Sequence, residues 1–371
     1  MSVRPILRAA ALLLCTASFA NAQFYFGRNK IQYHPFSWNV LSTPHFEIYY
    51  YEEEAELAAV GAHFAEEAFR DLEKKFNFTL VKKVPLIFYS SHLHFQQTNT
   101  IPYLIPEGVG GFFEFVKGRV VIPYDGSTYQ FKRVIIHELV HVFMHNKVAH
   151  ILSLHNVVTY RSPPLWFTEG LAEFWASRWD SKSEMVIRDA LLNDYLVPLD
   201  RLDLASSGFL LYKEGQSFLR FIDSVYGTDK ILLIMEGIWK DNDFYEVIEL
   251  TLGKDFSEIV DEWKYWYKKR IYPLLDTKDV ARVASLPVTE QGLSSAPVYY
   301  SSEDVDNVIF LTNRTGYSDI YIQVLPLDFQ GTSPELLLKG ERKAELESLH
   351  FLRTGIDVNS EGVLVFPSKS G

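Results

Sequence analysis

The sequence has little cysteine, no apolar run of membrane-spanning length and no cluster of positive charge. Its only cysteine, Cys15, lies in an N-terminal segment that the sequence predicts to be removed, so no disulfide bond is expected in the mature chain. No later stretch approaches the roughly 20 apolar residues that a membrane-spanning helix needs. Stability is therefore expected to come from packing, and the mature chain is expected to have no transmembrane segment.

Acidic residues outnumber basic ones in this chain. The 47 Asp and Glu against 36 Lys and Arg give a formal net charge of −11. A surface that binds nucleic acid needs Lys and Arg to neutralise the phosphates, and an acidic chain without a basic cluster lacks such a surface. Nucleic acid is therefore not expected as a partner.

Residues 1–22 have the order of features that is typical of a signal peptide. Arg4 and Arg8 precede an apolar run over residues 9–20, and the small residue Ala22 completes a cleavage site. Cleavage after Ala22 removes two basic residues and no acidic one, so the net charge becomes 34 − 47 = −13. The sequence thus predicts an exported protein, periplasmic or extracellular.

Two domains are expected, because 371 residues exceed what one ordinary hydrophobic core holds. In residues 37–280 the apolar pattern predicts an α+β domain, with a small N-terminal sheet and a helix-rich C-terminal half. The predicted strands are at 46–51 and 85–89, with a hairpin over 110–115 and 119–123, and the predicted helices are at 53–76, 129–145, 165–178, 183–196, 209–225, 228–239 and 255–271.

Residues 290–371 are expected to form a second, all-β domain. The segment VIFLTNRTG, which ends at Gly316, is echoed 55 residues later by VLVFPSKSG, which ends at Gly371. The echo indicates a repeat, with coincidence between two ordinary strand-and-turn segments as the alternative.

The sequence HELVH at residues 137–141 falls in one of the predicted helices. His137 and His141 are four residues apart, so they lie one above the other on one helix face, where both imidazoles can reach one ion. Zinc takes imidazole nitrogens and carboxylate oxygens, and a catalytic zinc keeps three protein ligands plus a water. The motif therefore predicts one Zn²⁺ per chain and a third protein ligand, with an ordinary histidine pair as the alternative.

A second acidic motif, WFTEGLAEF at residues 166–174, supplies the candidate third ligand, Glu169. Small residues at Gly170 and Ala172 allow a helix here to pack closely against its neighbour, which would deliver the carboxylate from a second rigid element. Glu173 lies four residues further on the same face. It is a candidate to accept a hydrogen bond from the far nitrogen of a zinc-bound histidine.

His145 is the rival third ligand, since it shares the helix face of His137 and His141. Eight residues of helix separate His137 from His145 by about 12 Å along the axis, which is too far for both to bind one ion at about 2 Å. His145 is therefore expected to have a structural role or to line the cleft.

Zinc next to a buried carboxylate is typical of peptide-bond hydrolysis. The ion lowers the pKa of its water and polarises the scissile carbonyl, while Glu138, inside the motif, is the candidate general base. Tyr212 is a candidate oxyanion donor, with a packed aromatic as the alternative. The predicted strand at 110–115 is a candidate for pairing with an extended peptide, with an ordinary edge strand as the alternative.

HELVH, followed 28 residues after His141 by the Glu169 of WFTEGLAEF, resembles the gluzincin superfamily of metallopeptidases and within it the bacterial peptidase-MA-like proteins. The resemblance covers about residues 40–275. Its W-x-x-E-G-x-A motif is matched by Trp166, Glu169, Gly170 and Ala172. It implies a zincin-like domain in which His137, His141 and Glu169 hold the zinc.

The region from Ser295 through FLTNRTGYSDIYI resembles a blade of a TolB-like β-propeller, in which a strand, a turn, N-R-x-G and D-I-Y recur. The resemblance implies a propeller with a surface for a protein partner. A propeller needs about four to eight blades, whereas residues 290–371 hold a first blade and part of a second. The chain is therefore expected to be a fragment or an early-ending version of a longer protein.

Two other functions stay open. One is an envelope binding or scaffold protein with a vestigial zinc site, although the intact Glu138 argues against it because a purely structural site needs no general base. The other is a structural zinc site closed by a fourth protein ligand, for which the sequence offers no convincing candidate. The sequence favours an exported zinc-dependent peptidase that acts on a peptide or protein substrate.

Overall fold

The structure of the chain is a computed structural model. It describes residues 34–51, 54–102, 105–106, 108–202, 208–302, 305–325, 333–346, 348–349, 351 and 355–368. The predicted signal peptide, residues 1–22, lies outside these ranges. Across them the chain is a mixture of helices and small sheets, which agrees with the expected α+β class. None of the described helices combines the length and the apolar character that crossing a membrane requires.

The chain divides into two compact units, residues 1–269 and residues 270–371. The domain assignments 37–280 and 290–371 remain predictions. In chain order the elements of the first unit are β1 (Trp38–Ser42), β2 (Phe46–Tyr51), α1 (Ala55–Phe76), β3 (Val84–Tyr89), α2 (His92–Phe95), β4 (Phe112–Glu114), β5 (Arg119–Pro123), α3 (Thr128–Leu154), α4 (Leu165–Ala176), α5 (Ser181–Leu192), a 3-10 turn (Leu199–Arg201), α6 (Phe209–Val225), α7 (Thr228–Glu236), α8 (Phe244–Leu252) and α9 (Phe256–Leu275), which continues past residue 269.

The first unit is built on a five-stranded mixed sheet in the order β1-β2-β3-β5-β4. β2, β3 and β5 run parallel, whereas β1 and β4 pair antiparallel with their neighbours. β4 lies at one edge, where Phe113 pairs with Val120 and Phe112 pairs with Val121. Because successive strand residues point to opposite faces, Val120 contributes to the main core and Val121 to a smaller cluster on the other side.

α1 and α3 pack on the main-core face of the sheet. α1 buries residues at three- and four-residue spacing, and Gly61 lets it approach closely, since a Cβ there would lie 2.4 Å from the ring of Phe88. α3 begins after Ser127, whose side chain accepts a hydrogen bond from the Gln130 N–H. Four consecutive residues of α3, 137–140, are buried, so the helix is enclosed on most sides.

α4 and α6 cross at a pair of glycines. A Cβ on Gly170 would lie 2.6 Å from the backbone carbon of Gly215, and a Cβ on Gly215 would lie 2.1 Å from the carbonyl oxygen of Trp166. A side chain at either position would therefore overlap with backbone atoms. α4 also packs against α3, so this crossing sets where α4 lies relative to the HELVH helix.

Several elements differ from the sequence prediction: the short α2 was not predicted, the predicted helix 183–196 ends at Leu192, and α3, α8 and β1 differ as follows. α3 continues to Leu154, nine residues beyond its predicted end, because Val148 and Ile151 extend its buried face. α8 was not predicted, although Val247 and Ile248 are buried, because nine residues give only a short periodic pattern. β1 was not predicted either, since most of its side chains are exposed and no alternation marks it.

The second unit begins within α9 and then contains α10 (Ala281–Ala284), β6 (Ser294–Ser302), β7 (Val305–Thr312), β8 (Asp319–Leu325), β9 (Glu335–Leu338), a 3-10 turn (Ala344–Leu346), β10 (Asp357–Val358) and β11 (Leu364–Val365). β6, β7, β8 and β9 form an antiparallel sheet in that order, and β10 pairs with β11. The described residues of this unit form no closed ring of blades, so the predicted propeller is not confirmed.

Replacing Gly215 by Ala is expected to lower the free energy of unfolding by about 3 kcal/mol or more, because the added methyl overlaps with the Trp166 carbonyl. Chemical denaturation of the purified chain measures this change. Gly208→Ala, just before the same helix, is the matched control, because a Cβ there meets nothing within 4 Å. Equal stability of the two variants would contradict the close crossing.

Candidate metal centre

Two helices bring three ligand-type side chains to one point. α3 carries His137 and His141, and α4 carries Glu169. Nε2 of His137 lies 3.1 Å from Oε2 of Glu169, and Nε2 of His141 lies 3.3 Å from the same oxygen. The ligand atoms of the three residues all lie within 4.8 Å of one another. The structure thus joins the two histidines of HELVH to the glutamate of the second motif.

Local helix geometry explains this arrangement. His137 and His141 are one turn apart, and their ring centroids are 5.0 Å apart. Pro164 precedes the first turn of α4. Proline has no backbone N–H, and at the start of a helix this group has no partner within the helix. Gly170 faces α6 at the crossing, and the preceding residue, Glu169, lies about 100° around the helix, on the side of α3. The crossing therefore orients the carboxylate.

The donor set fits a zinc ion. Two imidazole nitrogens and one carboxylate oxygen are the protein ligands of a known class of catalytic zinc site, which keeps one further position for water. The side chains of His137, His141 and Glu169 are only 11–15% exposed, so the cluster is largely removed from solvent. Among the residues that the structure describes, no other such His, Cys, Asp or Glu cluster is found.

The charges of the cluster favour a cation between these atoms. Burial opposes charge on the Glu169 carboxylate, but His141 and His137 hold its pKa well below the usual range. Burial likewise opposes a charged imidazole, yet Glu169 and Glu173 raise the pKa of His137 to about 10. A divalent cation satisfies the same attraction, which is a second reason that the residues fit a metal.

Glu173 lies behind His137, on the side away from Glu169. Its Oε1 atom is 3.2 Å from Nδ1 of His137 and accepts a hydrogen bond from Nη1 of Arg133 at 2.8 Å. Its Oε2 atom accepts a hydrogen bond from Nζ of Lys213 at 2.7 Å. Burial opposes its charge, but these three partners hold the pKa of Glu173 well below the usual range. The far nitrogen of the histidine therefore faces a fixed carboxylate, while the predicted hydrogen bond to a zinc-bound histidine stays a prediction.

The sequence did not single out Arg133 or Lys213. Arg133 lies four residues before His137 on α3, so helical spacing offers a signal that would have placed it on the same face. Lys213 comes from α6, and nothing in the sequence connects it with Glu173. Only the fold reveals that contact.

Glu138 lies on the wall of the same cleft as the ligand cluster and is buried. Burial raises the pKa of its carboxyl, even though His137 and His141 favour the charged form. The backbone before β4 passes directly beside it. A Cβ on Gly111 would lie 3.3 Å from Oε1 of Glu138 and 2.9 Å from Cγ1 of Val134.

Tyr212, near the start of α6, also lines this cleft. Its ring centroid lies 6.2 Å from that of His137, with the two planes 28° apart. Burial, together with the charges of Glu169 and Glu138, raises the pKa of its phenol well above the usual value. The hydroxyl therefore keeps its proton and can donate a hydrogen bond.

The cleft that contains these groups has a volume of about 620 Å³. His145 lines it, with Nδ1 3.0 Å from the hydroxyl of Tyr160, and is not part of the ligand cluster. The lining residues are Val109, Gly111, Phe112, Phe113, Phe115, His137, Glu138, His141, Met144, His145, Val148, Tyr160, Ser162, Pro163, Thr168, Glu169 and Tyr212. The predicted ligands, base and donor thus share one cleft.

A further buried carboxyl, Glu214, lies outside the cleft lining. Burial raises the pKa of Glu214 to about 8, and one of its oxygens accepts a hydrogen bond from the Val197 N–H at 3.1 Å. The carboxyl therefore ties α6 to the segment before the 3-10 turn. Its perturbed pKa reflects burial and does not mark the site.

No protein-family model matches the chain, and no curated protein does. Among solved structures the chain is similar to Legionella pneumophila aminopeptidase A in complex with aspartic acid, at 14% sequence identity and a TM-score of 0.34. The similarity covers 82% of this chain and 34% of that chain, so this chain spans about a third of that protein. At this TM-score nothing about the site follows from the similarity.

Replacing Glu173 by Gln is expected to weaken zinc binding by about 10- to 100-fold, because the carboxylate no longer fixes the ring of His137. Competition with a chromophoric chelator measures the affinity, and circular dichroism checks the fold. Glu67→Gln is the matched control, since Glu67 pairs with Lys132 on an exposed surface of α1 and α3. The same zinc affinity in both variants would contradict a role of Glu173 in positioning His137.

Proposed function

We propose that this chain is an exported, zinc-dependent peptidase of the gluzincin type. His137, His141 and Glu169 would hold the ion, and Glu138 would be the general base. The observation that carries the proposal is the meeting of three ligand atoms within 4.8 Å, with Glu138 on the wall of the same cleft. A cluster of this composition beside a buried carboxyl, in a cleft open to a substrate, suits hydrolysis better than a purely structural role.

A zinc ion held by His137, His141 and Glu169 would act as a Lewis acid and would make a water molecule more acidic. Glu138 takes a proton from the attacking water at its carboxylate and passes it to the amine nitrogen as the peptide C–N bond breaks. One water is thereby added across the bond, and the carboxylate returns to its starting state. The burial of Glu138 keeps bulk water away from this proton transfer.

Tyr212 is proposed to donate a hydrogen bond to the carbonyl oxygen of the scissile peptide as negative charge develops on it. Its position beside His137 in the cleft, and the raised pKa of its phenol, support this role. The donor comes from α6, whereas the general base comes from α3. The two groups therefore reach the same cleft from two different helices.

Glu173 is proposed to act through His137 rather than on the substrate. Its contact with Nδ1 orients the imidazole so that Nε2 points at Glu169. Arg133 and Lys213 hold the carboxylate in the charged form and in one position. This arrangement lets a largely buried acid orient a ligand without an unpaired charge.

The proposal includes export through residues 1–22 and a propeller blade formed by β6, β7, β8 and β9. Four antiparallel strands in sequential order are the blade architecture, and the segment that resembles a TolB-like blade lies within them. A protein partner would bind through this second unit.

The mature chain is expected to contain one zinc ion by elemental mass spectrometry and to cleave a mixed peptide library. Glu138→Gln is expected to keep the zinc and to lose cleavage by about 100-fold or more, because the proton acceptor is removed. His141→Ala is expected to lose the zinc, whereas His150→Ala, an exposed histidine of the same helix, keeps it. Zinc without Glu138-dependent cleavage would contradict the peptidase assignment, and absence of zinc would contradict the ligand set.

Gly111→Ala is expected to lower cleavage by at least about tenfold while zinc is retained. The added methyl must displace Val134 or the Glu138 carboxylate, and small misplacements of a catalytic group cost much of the rate. Gly110→Ala is the matched control, because a Cβ there makes only an ordinary contact, 3.6 Å from Val134. Steady-state rates and zinc content of both variants test this, and equal rates would show that Gly111 does not set the position of Glu138.

A further inference from the structure

The cleft continues along α3 beyond the ligand cluster, where four aromatic rings surround one end of it. The ring of His145 lies 5.7 Å from that of Phe113, 6.2 Å from that of Phe115 and 5.4 Å from that of Tyr160, measured between centroids. All four residues line the cleft. We call Phe113, Phe115, His145 and Tyr160 the aromatic subsite.

The position of the aromatic subsite relative to the general base follows from β4. Gly111 lies beside Glu138, and Phe113 lies beside His145, so β4 and α3 run in the same direction along the cleft. Gly111 and Phe113 are two residues apart, or about 7 Å of extended chain. A peptide that extends along β4 with its scissile bond next to Glu138 therefore brings one of its side chains, two residues from that bond, to the aromatic subsite.

One wall of the subsite is fixed by the β4–β5 turn. The carboxylate of Glu114 accepts hydrogen bonds from the Val116 N–H at 2.7 Å and from Nε of Arg119 at 3.0 Å. These bonds hold the turn that carries Phe115. Phe115 is nevertheless 66% exposed, so its ring is accessible on a fixed turn.

A second wall residue, Tyr160, is fixed by its neighbours in the segment between α3 and α4. Nη1 of Arg161 donates to the carbonyls of Ile238, Trp239 and Asp241, at 3.2, 3.0 and 2.6 Å. The ring of His155 stacks on Trp239 with centroids 3.7 Å apart. These contacts anchor the chain on both sides of Tyr160. Tyr160 itself is 49% exposed and lines the cleft.

The subsite is aromatic and uncharged. Burial lowers the pKa of His145 and raises the pKa of Tyr160, so both are neutral at physiological pH. Met144 and Val148 complete the lining nearby. The cleft lining that the structure describes contains no Lys, Arg or Asp, and its two Glu residues are Glu138 and Glu169.

We propose that the aromatic subsite binds a large apolar side chain of an extended peptide, and an aromatic side chain above all. This side chain lies two residues from the scissile bond, which is the peptide bond next to Glu138. The proposal rests on the proposed peptidase function, because it assigns a substrate class to the same cleft. Two exposed rings on separately anchored segments, each beside His145, are preorganised to contact a third ring, which lowers the entropy cost of binding.

The test uses the zinc-loaded Glu138→Gln chain and short alanine peptides in which a single phenylalanine is moved along the sequence. Each peptide carries the same dye on a Gly-Ser spacer, and fluorescence anisotropy measures binding. Phenylalanine at one position is expected to tighten binding by about tenfold over the all-alanine peptide. The wild-type chain is then expected to cut that peptide two residues from the phenylalanine.

Phe115→Ala and Tyr160→Ala, each combined with Glu138→Gln, are expected to reduce the phenylalanine preference to about twofold or less. Tyr160→Phe keeps the ring and is expected to keep most of the preference. Val116→Ala and Val158→Ala are the matched controls, because they are exposed residues of the same two segments and do not line the cleft. Both controls are expected to keep the full preference.

Equal binding of the phenylalanine and alanine peptides, no binding of any peptide, or an equal loss in the two valine controls overturns the aromatic subsite. A phenylalanine preference without cleavage by the wild type supports the subsite and overturns the peptidase proposal. Glu138-dependent cleavage without any preference for phenylalanine, in binding or in rate, supports the peptidase proposal and overturns the aromatic subsite. The failures of the two proposals are therefore distinguishable.

Discussion

The candidate site depends on the crossing of α4 and α6 at Gly170 and Gly215. With no side chain at either position, the two backbones meet directly, and α4 has one rotation that fits. That rotation turns Glu169 and Glu173 toward α3, where the two histidines lie. The same crossing brings Tyr212 and Lys213, at the start of α6, to the cluster. A methyl group at the crossing would displace all four side chains from α3.

Two glutamates one helical turn apart have different environments because the imidazole of His137 lies between their carboxylates. Glu169 lies near Nε2 of both histidines, whereas Glu173 lies near Nδ1 of His137 and is neutralised by Arg133 and Lys213. The positive partners of Glu173 leave Glu169 as the carboxylate available to a metal. The division follows from the i, i+4 spacing and from cations that only one of the two glutamates can reach.

The sequence predicted the parts of the site that depend on local spacing, and it missed the parts that depend on the fold. HELVH and WFTEGLAEF placed the histidines, Glu169 and Glu173 on helix faces, and the structure brings them together. Lys213 and the approach of Gly111 to Glu138 involve residues distant in sequence, for which no periodicity gives a signal. The end of α3 was misjudged for a related reason, since its last turns are stabilised by a buried Lys147 that pairs with Glu236 of α7. In the second unit the sheet is present, whereas the closed propeller is not confirmed.

The candidate metal ligands and the aromatic subsite lie on different kinds of structural element. The ligands lie on two helices whose relative position is fixed by backbone contact, while Phe115 and Tyr160 lie on a turn and a connecting segment with supports of their own. Changes in those two segments leave the helix crossing untouched. The architecture is modular in this sense: under the proposed function, substitutions in these two short surface segments would alter which peptides bind, while the residues proposed to hold the metal stay in place.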